Sequence, residues 1–123
     1  MLDLAHLGVI VKNGQKSSDF YCQVLGCTRE GSWQNQEIIA IELHCGNLII
    51  ELLEYLSPQE QVRTNGVYDH LAFRTENITA SIRQLNELGI GFETATPKKL
   101  TTGKKIIFFR GPDGERIELI EEP

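Results

Sequence analysis

Apolar and polar positions along the chain fall into one order of patterns that runs twice. Residues 5–11, Ala-His-Leu-Gly-Val-Ile-Val, are rich in β-branched side chains and predict a strand. Asn13 follows as a helix N-cap, and Phe20, Val24 and Leu25 lie at roughly helical spacing before Gly26, placed where a helix ends in the left-handed conformation. A weaker strand covers 28–34. Segments 36–45 and 47–55 alternate as strands around Gly46-Asn47, a hairpin signal. The second pass predicts a strand over 69–74, Asn77 as a cap, and a helix over 78–88 with Ile78, Ile82, Leu85 and Leu88 on one face and Gly89 at its end. Strands over 91–95, 105–110 and 115–121 follow, the last two joined by the turn residues Pro112-Asp113-Gly114.

Residue identities support the duplication. His6-Leu7 and Asn13 return as His70-Leu71 and Asn77, 64 residues later. Ile50-Glu51-Leu52-Leu53-Glu54 returns as Ile117-Glu118-Leu119-Ile120-Glu121, 67 residues later. Two matched blocks in one order at nearly one offset argue for an internal repeat. The expected fold is α+β: one domain over 1–123 made of two tandem βαβββ modules, about 1–60 and 66–123, forming a curved mixed sheet around a cleft. The polar stretch Ser57-Pro58-Gln59-Glu60-Gln61 joins them, ending before Asn65-Gly66.

Strand alternation sorts the side chains into faces. His6, Gly8 and Ile10 share one, as do Ile49, Glu51, Leu53 and Tyr55, then His70, Ala72 and Arg74, then Arg116, Glu118 and Ile120. The opposite faces are uniformly apolar and should pack under the helices: Leu7, Val9 and Val11, Ile50 and Leu52, Leu71 and Phe73, Ile117 and Leu119. A single histidine on a strand is more often a core residue, and a single glutamate more often a solvated one. Four such residues set by a repeat favour a ligand set for one divalent metal: His6, Glu51, His70 and Glu118. His44 has no partner in the repeat and is not expected to be a ligand.

Composition narrows the partners. A net charge of −5, with both signs mixed along the chain, argues against nucleic acid. No apolar run is long enough to span a bilayer, and the first residues lack the basic and small-residue pattern of a signal peptide. Cys22, Cys27 and Cys45 form no C-x-x-C pair; three such residues predict reduced thiols and a cytoplasmic protein. Lys98, Lys99, Lys104 and Lys105 crowd one loop that reads either as a clamp for an anionic substrate or as a solvated surface. Arg74 and Arg110 have the face parity to meet a substrate carboxylate, and Trp33 and Tyr55 are candidates for the pocket lining.

The segments HLGVIVKN, GNLIIELLEY, YDHLAFRTEN and GPDGERIELIEE resemble the vicinal-oxygen-chelate superfamily, which includes glyoxalase I, methylmalonyl-CoA epimerase, extradiol dioxygenases and fosfomycin-resistance proteins. The resemblance covers essentially the whole chain, and the last two segments look most like bacterial glyoxalase I. It implies one divalent ion (Ni, Zn, Co or Mn) on His6, Glu51, His70 and Glu118. Glu51 points toward the glyoxalase and epimerase branches, since the dioxygenases and fosfomycin enzymes typically use two His and one Glu. In those branches a metal stabilises an enediolate or enolate while a carboxylate, here Glu118 or Glu51, moves a proton beside the carbonyl. Substrate contacts are expected from Arg74, Tyr55, Lys104 and Trp33. The substrate would be a thiol adduct such as a hemithioacetal, or, in an epimerase, an acyl thioester. A third alternative is a non-catalytic binding protein of the bleomycin-resistance type, whose members lack the ligands. A homodimer is also implied. Bacterial glyoxalase I usually carries an Arg four residues after the first His and an Asn four residues after the first Glu, both serving glutathione. This chain has Ile10 and Tyr55 there.

Overall fold

The computed structural model describes residues 5–57 and 68–123. Beyond Ser57, the polar joint read from the sequence lies outside the described residues. The chain forms two compact units, Met1–Gly66 and Val67–Pro123.

In the first unit, strand β1 (Leu7–Ile10) leads into helix α1 (Gly14–Leu25), then β2 (Thr28–Gln34), β3 (Ile38–Cys45) and β4 (Leu48–Tyr55). The sheet order is β1-β4-β3-β2, with β1 parallel to β4 and the other neighbours antiparallel. The second unit repeats this with β5 (Leu71–Arg74), α2 (Ile78–Glu87), β6 (Lys98–Lys99), β7 (Lys105–Arg110) and β8 (Arg116–Glu121), in the order β5-β8-β7-β6. Each unit is thus a βαβββ module with a four-stranded mixed sheet, the α+β architecture read from the repeat.

Local chemistry explains most boundaries. Asn13 and Asn77 cap their helices, each side chain accepting from the backbone N–H three residues on (2.9 and 3.0 Å). Gly26 closes α1 at φ 71°, in the left-handed region that glycine reaches without strain. Gly46, at φ 65°, turns β3 into β4. β3 begins at Ile38 rather than at 36 because the Asn35 side chain accepts from Glu37 and Ile38 N–H, folding Asn35–Glu37 into the turn.

Three expectations about the helices and strands change. Residues 91–95 do not form a strand. Phe92 makes only an isolated bridge to Phe109, and the Glu93 N–H donates to Phe108, so pairing resumes only at Lys98–Lys99. Thr94 bonds locally to the Thr96 carbonyl instead, and Pro97 has no N–H to offer a ladder. The buried face of α1 consists of Gly14, Ser17, Ser18 and Tyr21, while Phe20, Val24 and Leu25 are half-buried at its flanks. Small residues let the helix lie close on the sheet: a Cβ on Gly14 would come within 3.0 Å of the Ile41 side chain. In α2, Ile78 and Leu85 are buried, but Leu88 forms the cap and is exposed.

Cys27 and Cys45 are joined in a disulfide, with Cα atoms 4.4 Å apart, where the sequence predicted reduced thiols. They follow the register one step beyond Thr28↔His44, which sets them opposite each other across β2 and β3. The spacing of 18 residues carries no pairing signal; the hairpin register does. The thiol argument for a reducing compartment therefore falls away. Among the described residues, no helix is long and apolar enough to cross a membrane.

The repeated second glutamate has a structural role. Glu54 Oε1 accepts from the Gly14 N–H at 2.6 Å, and Glu121 Oε1 accepts from the Ile78 N–H at 2.8 Å. In each module a carboxylate on the last strand thus caps the first turn of the helix, where unpaired N–H groups and the helix dipole favour an anion. Glu54→Ala and Glu121→Ala should each lower the unfolding free energy by about 1–2 kcal/mol. Urea unfolding would read this directly, and unchanged midpoints would refute the capping role.

Candidate functional site

The parallel pairing in each module sets a histidine and a glutamate on one sheet face. Gly8 stands beside Glu51, and Ala72 beside Glu118. Each histidine lies two residues before that glycine or alanine, hence on the same face and one step along the sheet. Both sit just outside the strand ends, at His6 and His70.

In the second unit the pair is in contact, with His70 Nε2 3.6 Å from Glu118 Oε2. Glu118 is 8 % exposed, unusual for a carboxylate, whereas the imidazole is about one-third exposed. A buried carboxylate is costly unless charge or hydrogen bonds compensate it. His70 Nδ1 lies 2.7 Å from Asp69 Oδ2. An ionised carboxylate can only accept, so Nδ1 carries the proton and Nε2 is turned toward Glu118. The imidazole also meets the Phe108 ring edge-on, with centroids 5.5 Å apart.

Arg116 joins this cluster from two residues before Glu118. Its guanidinium lies 3.7 Å over the Phe108 ring and donates to Asp69 (3.4 Å) and to Glu93 (3.2 and 3.3 Å). The hydrogen bond from His70 leads in holding the Asp69 carboxyl below its ordinary range, and Arg116 adds to it. Glu93 is lowered chiefly by its hydrogen bond from Arg116, and the Arg116 pKa is raised, first by Glu93 and then by Asp69. Arg110, read as a candidate for a substrate carboxylate, is 3.3 Å from Glu93. Asp69, Glu93 and Phe108 were not singled out from the sequence. The signal that could have found Asp69 is its position directly before a candidate ligand.

The first unit presents a different setting. Glu51 opposes Glu42 across β3 and β4, and Glu42 Oε2 is 3.3 Å from His44 Nε2. Glu30 lies 4.0 Å from the other His44 nitrogen. The register therefore gives Glu42 a defined place beside Glu51. Among the described residues, no group of three or more His, Cys, Asp or Glu side chains is gathered as a metal site.

The expected substrate contacts fall in several places. Tyr55 ends β4, half-buried, four residues beyond Glu51, and Trp33 is 52 % exposed on β2. Trp33 lines a groove of about 460 Å³ in the first unit, together with Gln15, Arg29, Gln34, Ile39 and Glu54. Arg74 and Lys104 share Glu122, at 3.9 and 3.6 Å. Arg74 lies four residues on from His70, a run of roughly 13 Å.

Residues 3–119 match the model of the Glyoxalase/Bleomycin resistance protein/Dioxygenase superfamily, and the chain belongs to that superfamily. It is 29% identical over 126 residues to lactoylglutathione lyase of Escherichia coli O157:H7, covering 97% of this chain and 92% of that one. The crystal structure of a glyoxalase family protein from Enterococcus faecalis superposes with a TM-score of 0.81 at 30% identity, over 97% of each chain. FosX from Listeria monocytogenes, solved with Mn(II) and sulfate, shares the fold at a TM-score of 0.77 and 18% identity, over 100% of this chain and 94% of that one.

The lowered Asp69 and Glu93 set a pH dependence. Both carboxyls bind protons less readily folded than unfolded, so their stabilisation is fully present above their ordinary values. It is lost as pH falls through the lowered ones. Urea midpoints measured from roughly pH 6 down to 3 should fall more steeply in the native protein than in Arg116→Gln. Parallel curves would show that the cluster does not couple to folding.

Proposed function

We propose that the protein is a metal-dependent lyase or isomerase of the glyoxalase I type, with one divalent ion held by His6, Glu51, His70 and Glu118. The observation that carries this reading is the His70–Glu118 pair, with Nε2 turned toward a buried carboxylate. Imidazole nitrogen and carboxylate oxygen suit Ni, Zn, Co or Mn, and a cation would offset the cost of the buried Glu118. The first module repeats the pair in register, so the ion takes one pair from each of two modules, of one chain or of two in a homodimer.

When bound, the metal supplies a Lewis acid that steadies the charge of an enediolate. The chain's own part is proton transfer. Glu118 or Glu51 takes a proton from the carbon next to the substrate carbonyl and returns it to the neighbouring carbon. Trp33 and Tyr55 are the proposed apolar contacts to the substrate, and Arg74 and Lys104, which share Glu122, the contacts to an anionic end. The substrate is a small thiol adduct.

A second reading has its own observation. Ile10 and Tyr55 stand where bacterial glyoxalase I has its glutathione-serving Arg and Asn, which favours a different thiol carrier and an epimerase acting on a 2-substituted acyl thioester. Metal-free protein reconstituted with each of the four ions and assayed on the methylglyoxal–glutathione hemithioacetal tests the first reading. Solvent deuterium uptake at the thioester α-carbon tests the second. His70→Ala and Glu118→Gln should each lower kcat/KM by at least about 100-fold on whichever substrate turns over. Protein that takes up no metal and turns over neither substrate would leave only the non-catalytic binding role.

A further inference from the structure

The two modules support their histidines differently. His70 is restrained on three sides: Asp69 accepts from Nδ1 at 2.7 Å, Phe108 packs edge-on, and Nε2 faces Glu118. Arg116 ties two of these restraints together, bonding Asp69 while lying over Phe108. Glu93 in turn holds Arg116 by two hydrogen bonds and is itself 3.3 Å from Arg110. At the matching positions of the first module, Ala5 stands for Asp69, Ile49 for Arg116, and Glu42, rather than Phe108, lies opposite the repeated glutamate. An alanine and an isoleucine cannot accept from an imidazole or grip its partner.

We infer that Asp69, held by Arg116, is a positioning residue that fixes the His70 ring with Nε2 presented to the metal, so that the second module is the organised half of the ligand set. This deepens the metal-dependent reading and rests on it for the role of Nε2. The physical basis is general. A carboxylate on the far nitrogen of a ligating imidazole sets its tautomer and orientation, and its removal typically weakens metal binding by about 10–100-fold. Arg116 does not reach the metal in this reading; it acts by denying Asp69 other rotamers. Asp69 is exposed apart from these contacts, so its replacement leaves the core intact.

The test uses the full chain with the metal removed. Nitrogen-15 spectra of the histidine rings at alkaline pH report which nitrogen carries the proton. In the native protein His70 should be the Nδ1–H tautomer. In Asp69→Ala it should shift toward the Nε2–H form common in free imidazoles, in a protein that still unfolds cooperatively. Asp69→Asn keeps an acceptor oxygen and should recover most of the Nδ1–H population. Chelator competition with Zn²⁺ should then show about 10–100-fold weaker binding for Asp69→Ala, with partial rescue in Asp69→Asn. An unchanged His70 tautomer in Asp69→Ala would overturn the inference. So would equal losses in the Ala and Asn variants, which would make Asp69 a charge rather than an orienting acceptor. If the native protein takes up no Zn²⁺, the metal reading fails, while the ring spectra still decide whether Asp69 orients His70.

Discussion

The parallel pairing of a module's first strand with its last is the constraint on which the molecule depends. A parallel pair requires a crossover, and the helix between β1 and β2, or between β5 and β6, covers one face of the sheet. That face takes the apolar set, with Ile50, Leu52, Ile117 and Leu119 all buried. The same pairing sets Gly8 beside Glu51 and Ala72 beside Glu118, with the histidines two residues upstream. A one-residue slip would send the ligand candidates under the helix and the core residues into solvent. Folding and site chemistry are therefore specified by a single register.

The duplicated glutamates divide between these two tasks. Positions three apart on a strand point to opposite faces. Glu51 and Glu118 lie with the histidines, while Glu54 and Glu121 reach the first turn of the helix that packs on the other side. The two acids thus answer to different surroundings, one on the face of the histidines and one as the anion for exposed helix N–H groups.

The modules are repeated in backbone but not in the surroundings of their donors. The second sets its histidine against a carboxylate and an aromatic edge, with a guanidinium stacked on that aromatic ring. The first sets a second carboxylate, Glu42, beside Glu51 and links it to His44. The repeat thus keeps the positions of these histidines and glutamates and changes what surrounds them.

The sequence by itself determined the order of elements, the two helix caps, the Gly46 turn and the duplication, because these depend on periodicity and on residues with local conformational demands. It also determined which glutamates share a face with which histidines, since strand parity is a property of spacing. Tertiary structure decided the rest. The Cys27–Cys45 disulfide follows from hairpin register, which spacing does not encode. The absence of a strand over 91–95 reflects Thr94 and Pro97 withdrawing from a ladder that local β-propensity favoured. The packing face of α1, built on glycine and serines, was set by how closely the sheet approaches it rather than by hydrophobicity. The cluster around His70 is drawn from four separate stretches of chain, at Asp69, Glu93, Phe108 and Arg116, and only the folded second unit brings those together.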